Sequence, residues 1–266
     1  LERIILNASV QTPWPCNNTV PALVGMPSGQ PKAGIVLLHG YTGGKEMMAQ
    51  EARGLTEWGY AVIMPDLPLH GERALGPDGM FEYPFYGDPG GVLKAFENAL
   101  SDVRTCADYL RVTLGPEVPL GITGFSLGGC LTILSMARMP ELFAAGVSVV
   151  GAAKLARLLL ESTICGDIQA DLMELGVEEE ELKQVLKPVE ATEYAENVHN
   201  LLLLGGSEDR IVPAYLVRET YAAIEHETNR CVIFERCSHF PSVRQVAEQA
   251  LPFFEQRFSA ANGAAR

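Results

Sequence analysis

Along the chain, short apolar runs rich in β-branched residues alternate with longer stretches in which apolar positions recur every three or four residues. The short runs lie at residues 34–38, 60–65, 119–125, 144–150, 201–204 and 230–235, and their length and composition predict strands. Between them, Met48, Ala52 and Leu55 share one face of a helix predicted over 45–58. Phe96, Leu100, Val103, Ala107 and Leu110 draw a single stripe along a helix over 93–114. Residues 127–139 predict a helix closed by Pro140, and 214–224 and 242–258 predict two more. This alternation belongs to the α/β class: a mostly parallel central sheet of about eight strands with helices on both faces, here as a single domain over residues 1–266. The stretch before residue 34, including 23–26, predicts edge strands, antiparallel if they connect through the tight turn suggested by Pro27, Ser28 and Gly29.

Residues 154–197 depart from the alternation. They read as a lid insertion with two short amphipathic helices, one around Ile168, Leu172 and Leu175 and one around Leu182, Val185 and Leu186. The acids Glu178, Glu179, Glu180 and Glu181 suit the solvated first turn of the second helix, where the dipole favours negative charge.

Composition narrows the function classes. Hydrophobic residues make up 47% of the chain and charged ones 20%, enough for a large core. A formal net charge of −13, with no basic cluster, argues against nucleic acid or an anionic membrane as partner. Cys16, Cys106, Cys130, Cys165, Cys231 and Cys237 include no paired CxxC spacing, so neither a metal site nor a disulfide framework is signalled and a cytoplasmic location is expected. No apolar run reaches the roughly 18 residues of a membrane span. The N-terminus lacks the basic-then-apolar order of a signal peptide, and oligomeric state is unreadable.

The chemistry concentrates at Gly124-Phe125-Ser126-Leu127-Gly128-Gly129, a G-x-S-x-G pattern set between a predicted strand and a predicted helix. A serine on that turn presents its hydroxyl above the carboxyl ends of the strands. As a weak nucleophile it needs a base and a group that orients the base. Residues 201–209 are an apolar run ending in Glu208 and Asp209, and residues 231–239 are another ending in His239. Both endings fall at the same sheet edge as Ser126. Chemistry alone does not separate Glu208 from Asp209. His199 and His226 occupy polar positions, while His39 and His70 lie in loops. The oxyanion is expected to meet the N–H groups of Leu127, at the start of its helix, and of Tyr41, in the loop after the first parallel strand.

These residues resemble the α/β-hydrolase superfamily from about residue 34 to 258. Asp209-Arg210-Ile211-Val212-Pro213 resembles the D-x-x-V-P pattern that often follows the superfamily's acid, which favours Asp209 over Glu208. Asp66-Leu67-Pro68-Leu69-His70-Gly71-Glu72-Arg73 is similar to a stretch found in prolyl oligopeptidase-like and dienelactone hydrolase-like esterases; by that likeness His70 organises its loop. The resemblance implies a serine hydrolase with Ser126 as nucleophile, His239 as base and Asp209 as orienting acid, without cofactor or metal. The expected substrate is a small-molecule carboxylic ester, cleaved through an acyl-enzyme. Thioesters and peptides are the alternatives within the fold, and a noncatalytic binding protein is the alternative outside enzymes. Leu158, Leu159, Leu160 and Leu172 of the lid, with Met80, Phe81, Tyr83, Phe85 and Tyr86 of the earlier loop, would suit a modest apolar acyl or alcohol group, although packing between lid and body is the expected role of any single one of them.

Overall fold

The structure, a computed structural model, describes residues 1–76 and 88–264. These form an eight-stranded sheet in the order β1-β2-β4-β3-β5-β6-β7-β8. The strands are β1 (Glu2–Asn7), β2 (Thr19–Gly25), β3 (Ala33–Leu38), β4 (Tyr60–Pro65), β5 (Leu120–Phe125), β6 (Ala145–Val149), β7 (Leu201–Gly206) and β8 (Arg230–Phe234). From β4 to β8 every pairing is parallel, and β1 and β2 add an antiparallel margin. Parallel neighbours need a crossover. It is supplied by α1 (Ala49–Glu57), α2 (Pro89–Leu114), α3 (Leu127–Arg138) and α7 (Ala214–Ala223), with α8 (Val243–Ala264) closing the fold.

Side chains alternate across each strand, so the sheet divides the core in two. Val36, Leu38, Ile122 and Leu203 pack with the stripe Leu100, Val103, Ala107 and Leu110 of α2 and with Leu131 of α3. Ile35, Leu37, Val147 and Leu204 face the other way, towards Ala52 of α1 and Leu251, Phe254 and Phe258 of α8. The parallel strands therefore bury both faces, as their unbroken apolar runs require.

Four expectations need correction. The turn at Pro27, Ser28 and Gly29 does not join neighbouring strands, because β2 pairs with β4 and the chain passes over β4 to reach β3. Helix α2 begins at Pro89, four residues before the predicted start at 93. Asp88 caps it by accepting a hydrogen bond from the Gly90 N–H at 3.0 Å, and Pro89 takes the first turn, where no N–H is needed. Helix α8 runs on to Ala264. The insertion between β6 and β7 carries three α-helices, α4 (Leu155–Glu161), α5 (Gly166–Glu174) and α6 (Glu179–Leu186), where two were expected. The seven residues of α4 are too short to show a helical period, though Leu155, Ala156, Leu158 and Leu159 are all buried. Leu175 ends α5 and faces solvent instead of packing. The acidic run does open α6, with Lys183 pairing to Glu179 at 2.7 Å.

Candidate active site

Ser126 sits between β5 and α3 with φ 54° and ψ −111°, a conformation that costs a residue with a side chain about 1–3 kcal/mol. Its surroundings enforce it. The Ser126 N–H donates to the Val149 carbonyl at 2.9 Å, and the Ser126 carbonyl accepts the Cys130 N–H of α3, also at 2.9 Å. A Cβ on Gly124 would lie 2.3 Å from the Gly128 carbonyl oxygen, and one on Gly128 only 2.5 Å from that of Leu38. The glycines of the motif are thus required by backbone contact between the strand, the turn and the helix.

The next two loops bring their ionisable groups to the same point. The Nδ1–H of His239 donates to Asp209 Oδ2 at 2.8 Å, and Nε2 accepts from the Ser126 hydroxyl at 2.9 Å. The carboxylate only accepts, so it sets this tautomer. The other oxygen of Asp209 accepts the N–H groups of Ile211 and Val212, at 2.8 and 2.9 Å. Those two bonds explain why an acid precedes Ile-Val-Pro: the chain turns back onto the carboxylate before α7 begins. Glu208 is exposed, and its N–H instead donates to the Cys237 carbonyl at 2.8 Å. Ser126, Asp209 and His239 are all buried.

Tyr41 and Leu127 line one cavity with Ser126. Leu127 opens α3, where an N–H has no carbonyl of its own helix to bond. His39 and His70 take no part in the Ser126 hydrogen-bond chain. His39 Nε2 accepts the Leu67 N–H at 3.0 Å and its Nδ1–H donates to the Gly40 carbonyl at 2.8 Å. His70 Nδ1–H donates to the Pro68 carbonyl at 2.7 Å. Burial lowers both; with His39 adding to the effect, His70 is pushed down to about 4. Both rings are therefore neutral at pH 7. His199 and His226 lie together elsewhere, with ring centroids 4.2 Å apart.

Sequence reasoning missed a buried polar cluster beside the site. Lys45 is fully buried. Its Nζ donates to Asp66 at 2.7 Å and to Glu72 at 2.7 Å, and its N–H donates to Asp66 at 2.8 Å. Burial opposes the Lys45 charge, but these carboxylates outweigh it and hold the ammonium above its usual range. Arg73 donates to Asp102 of α2 at 2.6 Å and to the Asp66 carbonyl at 3.0 Å. The signal available was Asp102, a charge in the middle of an apolar stripe.

Two cavities meet at Ser126. One lies between α2, α3 and the insertion, walled by Ala95, Phe96, Leu158, Leu159, Ile168 and Val212. Leu160 and Leu172 pack with the core and do not line this cavity. Met80, Phe81, Tyr83, Phe85 and Tyr86 lie outside the described residues. The other cavity opens between α1 and α8 and reaches His239 and Phe240. Among the described residues, no group of His, Cys, Asp and Glu side chains is placed to hold a metal ion, and no helix is long and apolar enough to cross a membrane.

A profile of the prolyl oligopeptidase family matches residues 47–259. The chain belongs to the prolyl oligopeptidase family. Within that setting it is 28% identical to esterase YjfP of Escherichia coli (strain K12) over 89% of this chain and 95% of the relative. It is 25% identical to the putative esterase YitV of Bacillus subtilis (strain 168), over 72% of this chain and 74% of that one. Among solved structures, the acylaminoacyl peptidase of Pyrococcus horikoshii superposes with a TM-score of 0.73 at 20% identity. That match covers 97% of this chain and 41% of the peptidase, and the likeness to this longer chain is one of fold.

Proposed function

We propose that this protein is a carboxylesterase of the prolyl oligopeptidase family that works through an acyl-enzyme on Ser126. The observation that carries the reading is the hydrogen-bond chain from Ser126 through His239 to Asp209, with links of 2.9 and 2.8 Å. Ser126 attacks the ester carbonyl while His239 Nε2 takes its proton, and Asp209 stabilises the imidazolium. The N–H groups of Tyr41 and Leu127 receive the oxyanion; a donor of this kind is worth about 3–4 kcal/mol. Water then repeats the attack with His239 as base and releases the acid. The acyl group extends from Ser126 past Leu127 into the apolar cavity between α2, α3 and the insertion, which acts as a lid at residues 154–197 of a single domain. Six free thiols suit a reducing, cytoplasmic setting.

The esterase names of YjfP and YitV support ester over amide substrates. A second reading, peptide cleavage, draws on the family and on the fold shared with acylaminoacyl peptidase. It requires the same acyl-enzyme. The test is hydrolysis of p-nitrophenyl esters from acetate to long acyl chains, and of matching p-nitroanilides, by wild type and Ser126→Ala. Ester turnover that falls by about 10⁶ in Ser126→Ala is expected, together with fluorophosphonate labelling of wild type alone. Equal turnover in both proteins would sink the assignment of the nucleophile, and anilides outpacing esters would favour the peptidase.

A further inference from the structure

Breaking an ester through Ser126 sends two fragments in two directions, and the position of His239 decides which goes where. As the bond from Ser126 Oγ to the carbonyl carbon forms, the bond from that carbon to the alcohol oxygen breaks. The departing oxygen must collect the proton His239 took from Ser126. It therefore leaves from within hydrogen-bond reach of Nε2, on the His239 side of the serine.

The two cavities at Ser126 differ in this respect. The one under the insertion is lined by Leu127 but not by His239, whereas the one between α1 and α8 is lined by His239 and not by Leu127. The second is also the roomier, with a volume of about 360 Å³ against about 110 Å³. Its walls are Met48, Leu55 and Gly54 from α1 and its approach, and Val246, Ala247 and Leu251 from α8. At the rim, Met47, Trp58, Phe240 and Val243 are large apolar side chains left 66%, 48%, 71% and 42% exposed. Phe240 stacks on Phe125 at 5.7 Å and stands edge-on to His239 at 5.3 Å, so the apolar wall begins at the proton donor itself. Four such residues around one opening are more than the scattered apolar side chains of an ordinary surface.

We infer that the cavity between α1 and α8 is the leaving-group subsite, and that the preferred substrates are esters of bulky, apolar alcohols. This rests on the serine esterase reading and adds to it the alcohol half of the substrate. Gly54 offers the means of testing it, because a Cβ at this helical position meets nothing within 4 Å. Gly54→Phe projects a ring into the cavity without backbone conflict, and replacing a helical glycine lowers the conformational cost of folding.

The experiment compares two ester series of constant leaving-group acidity. One holds the acyl group as acetyl and varies the alcohol from ethanol to 2-phenylethanol to 2-(1-naphthyl)ethanol; the other holds ethanol and lengthens the acyl chain. Wild type is expected to prefer the naphthylethyl ester. Gly54→Phe lowers the naphthylethyl to ethyl ratio of kcat/KM by about tenfold or more, the usual scale for losing room in an apolar pocket, and Ala247→Leu lowers it in the same sense. Ala95→Phe, in the other cavity, shifts the acyl-length ratio instead. A Gly54→Phe that moves the acyl-length ratio, or neither ratio, overturns the assignment while leaving the esterase intact. Absence of Ser126-dependent turnover with every ester overturns the esterase reading and this subsite with it.

Discussion

Two buried aspartates mark the carboxyl edge of the sheet, Asp66 after β4 and Asp209 after β7, and they are held in different ways. Asp66 accepts the Lys45 ammonium, the Lys45 N–H and the Glu72 N–H. Asp209 accepts two backbone N–H groups and the ring of His239. The first carboxylate has a fixed cation against it; the second has neutral dipoles and a base that becomes a cation only when it receives a proton. The electrostatic attraction at Asp66 is consumed in holding the loop 66–73 to the start of α1. At Asp209, under the proposed mechanism, it is held in reserve for an imidazolium on His239, a charge that would exist only in passing.

Substitutions that exchange these roles separate the two regions. Asp209→Asn keeps the size of the side chain but presents a donor or a neutral acceptor to His239, so the ring loses both its tautomer and its counter-charge. We expect kcat on p-nitrophenyl butyrate to fall by about 10⁴, or about 5.5 kcal/mol, with a melting temperature close to wild type; a drop under tenfold would remove Asp209 from the mechanism. Lys45→Met should do the reverse. It leaves Asp66 buried without its cation and costs about 3–5 kcal/mol of folding stability, read from urea unfolding, while Lys45→Met with Asp66→Asn recovers part of the loss. Additive losses in the double variant would mean that the two side chains do not act as a pair.

A third carboxylate sharpens the comparison with the smallest effect. Glu190 accepts the Ala156 N–H at the start of α4, at 2.9 Å. Burial pushes it up from an ordinary value of 4.5 to about 7, against the opposing pull of that N–H and of Lys154. Between those two values the folded chain keeps a proton that the unfolded chain has released. Stability contributed by Glu190 is therefore complete below about pH 4.5 and declines as pH rises to about 7. Over that interval the wild type should lose more melting temperature than Glu190→Gln, and parallel curves for the two proteins would refute the shift.

The legible parts of this molecule were those written in local pattern. The parallel strands and the stripe on α2 follow from period and composition, and the serine turn from glycines that have no room for a Cβ. Asp209 was separable from Glu208 only by resemblance, because the two hydrogen bonds from Ile211 and Val212 that select it are a property of the folded loop. Lys45 was hidden for a related reason. A lysine at the start of a helix looks solvated, and nothing near it in sequence reveals that Asp66 and Glu72 close over it from the next loop. The path of β2 over β4 was likewise hidden, since a turn sequence specifies a bend and not the partner of the strand it follows.

The loops bearing Asp209 and His239 are joined closely to each other. A Cβ on Gly206 would lie 2.4 Å from the Ser238 carbonyl oxygen, the Ser207 N–H donates to Phe234 at 3.0 Å, and the Arg236 N–H donates to the Ser207 hydroxyl at 2.8 Å. With the Glu208 bond to Cys237, these contacts leave the two loops almost no relative freedom. A side chain at Gly206 would therefore press the two loops apart, and with them the 2.8 Å link between Asp209 and His239.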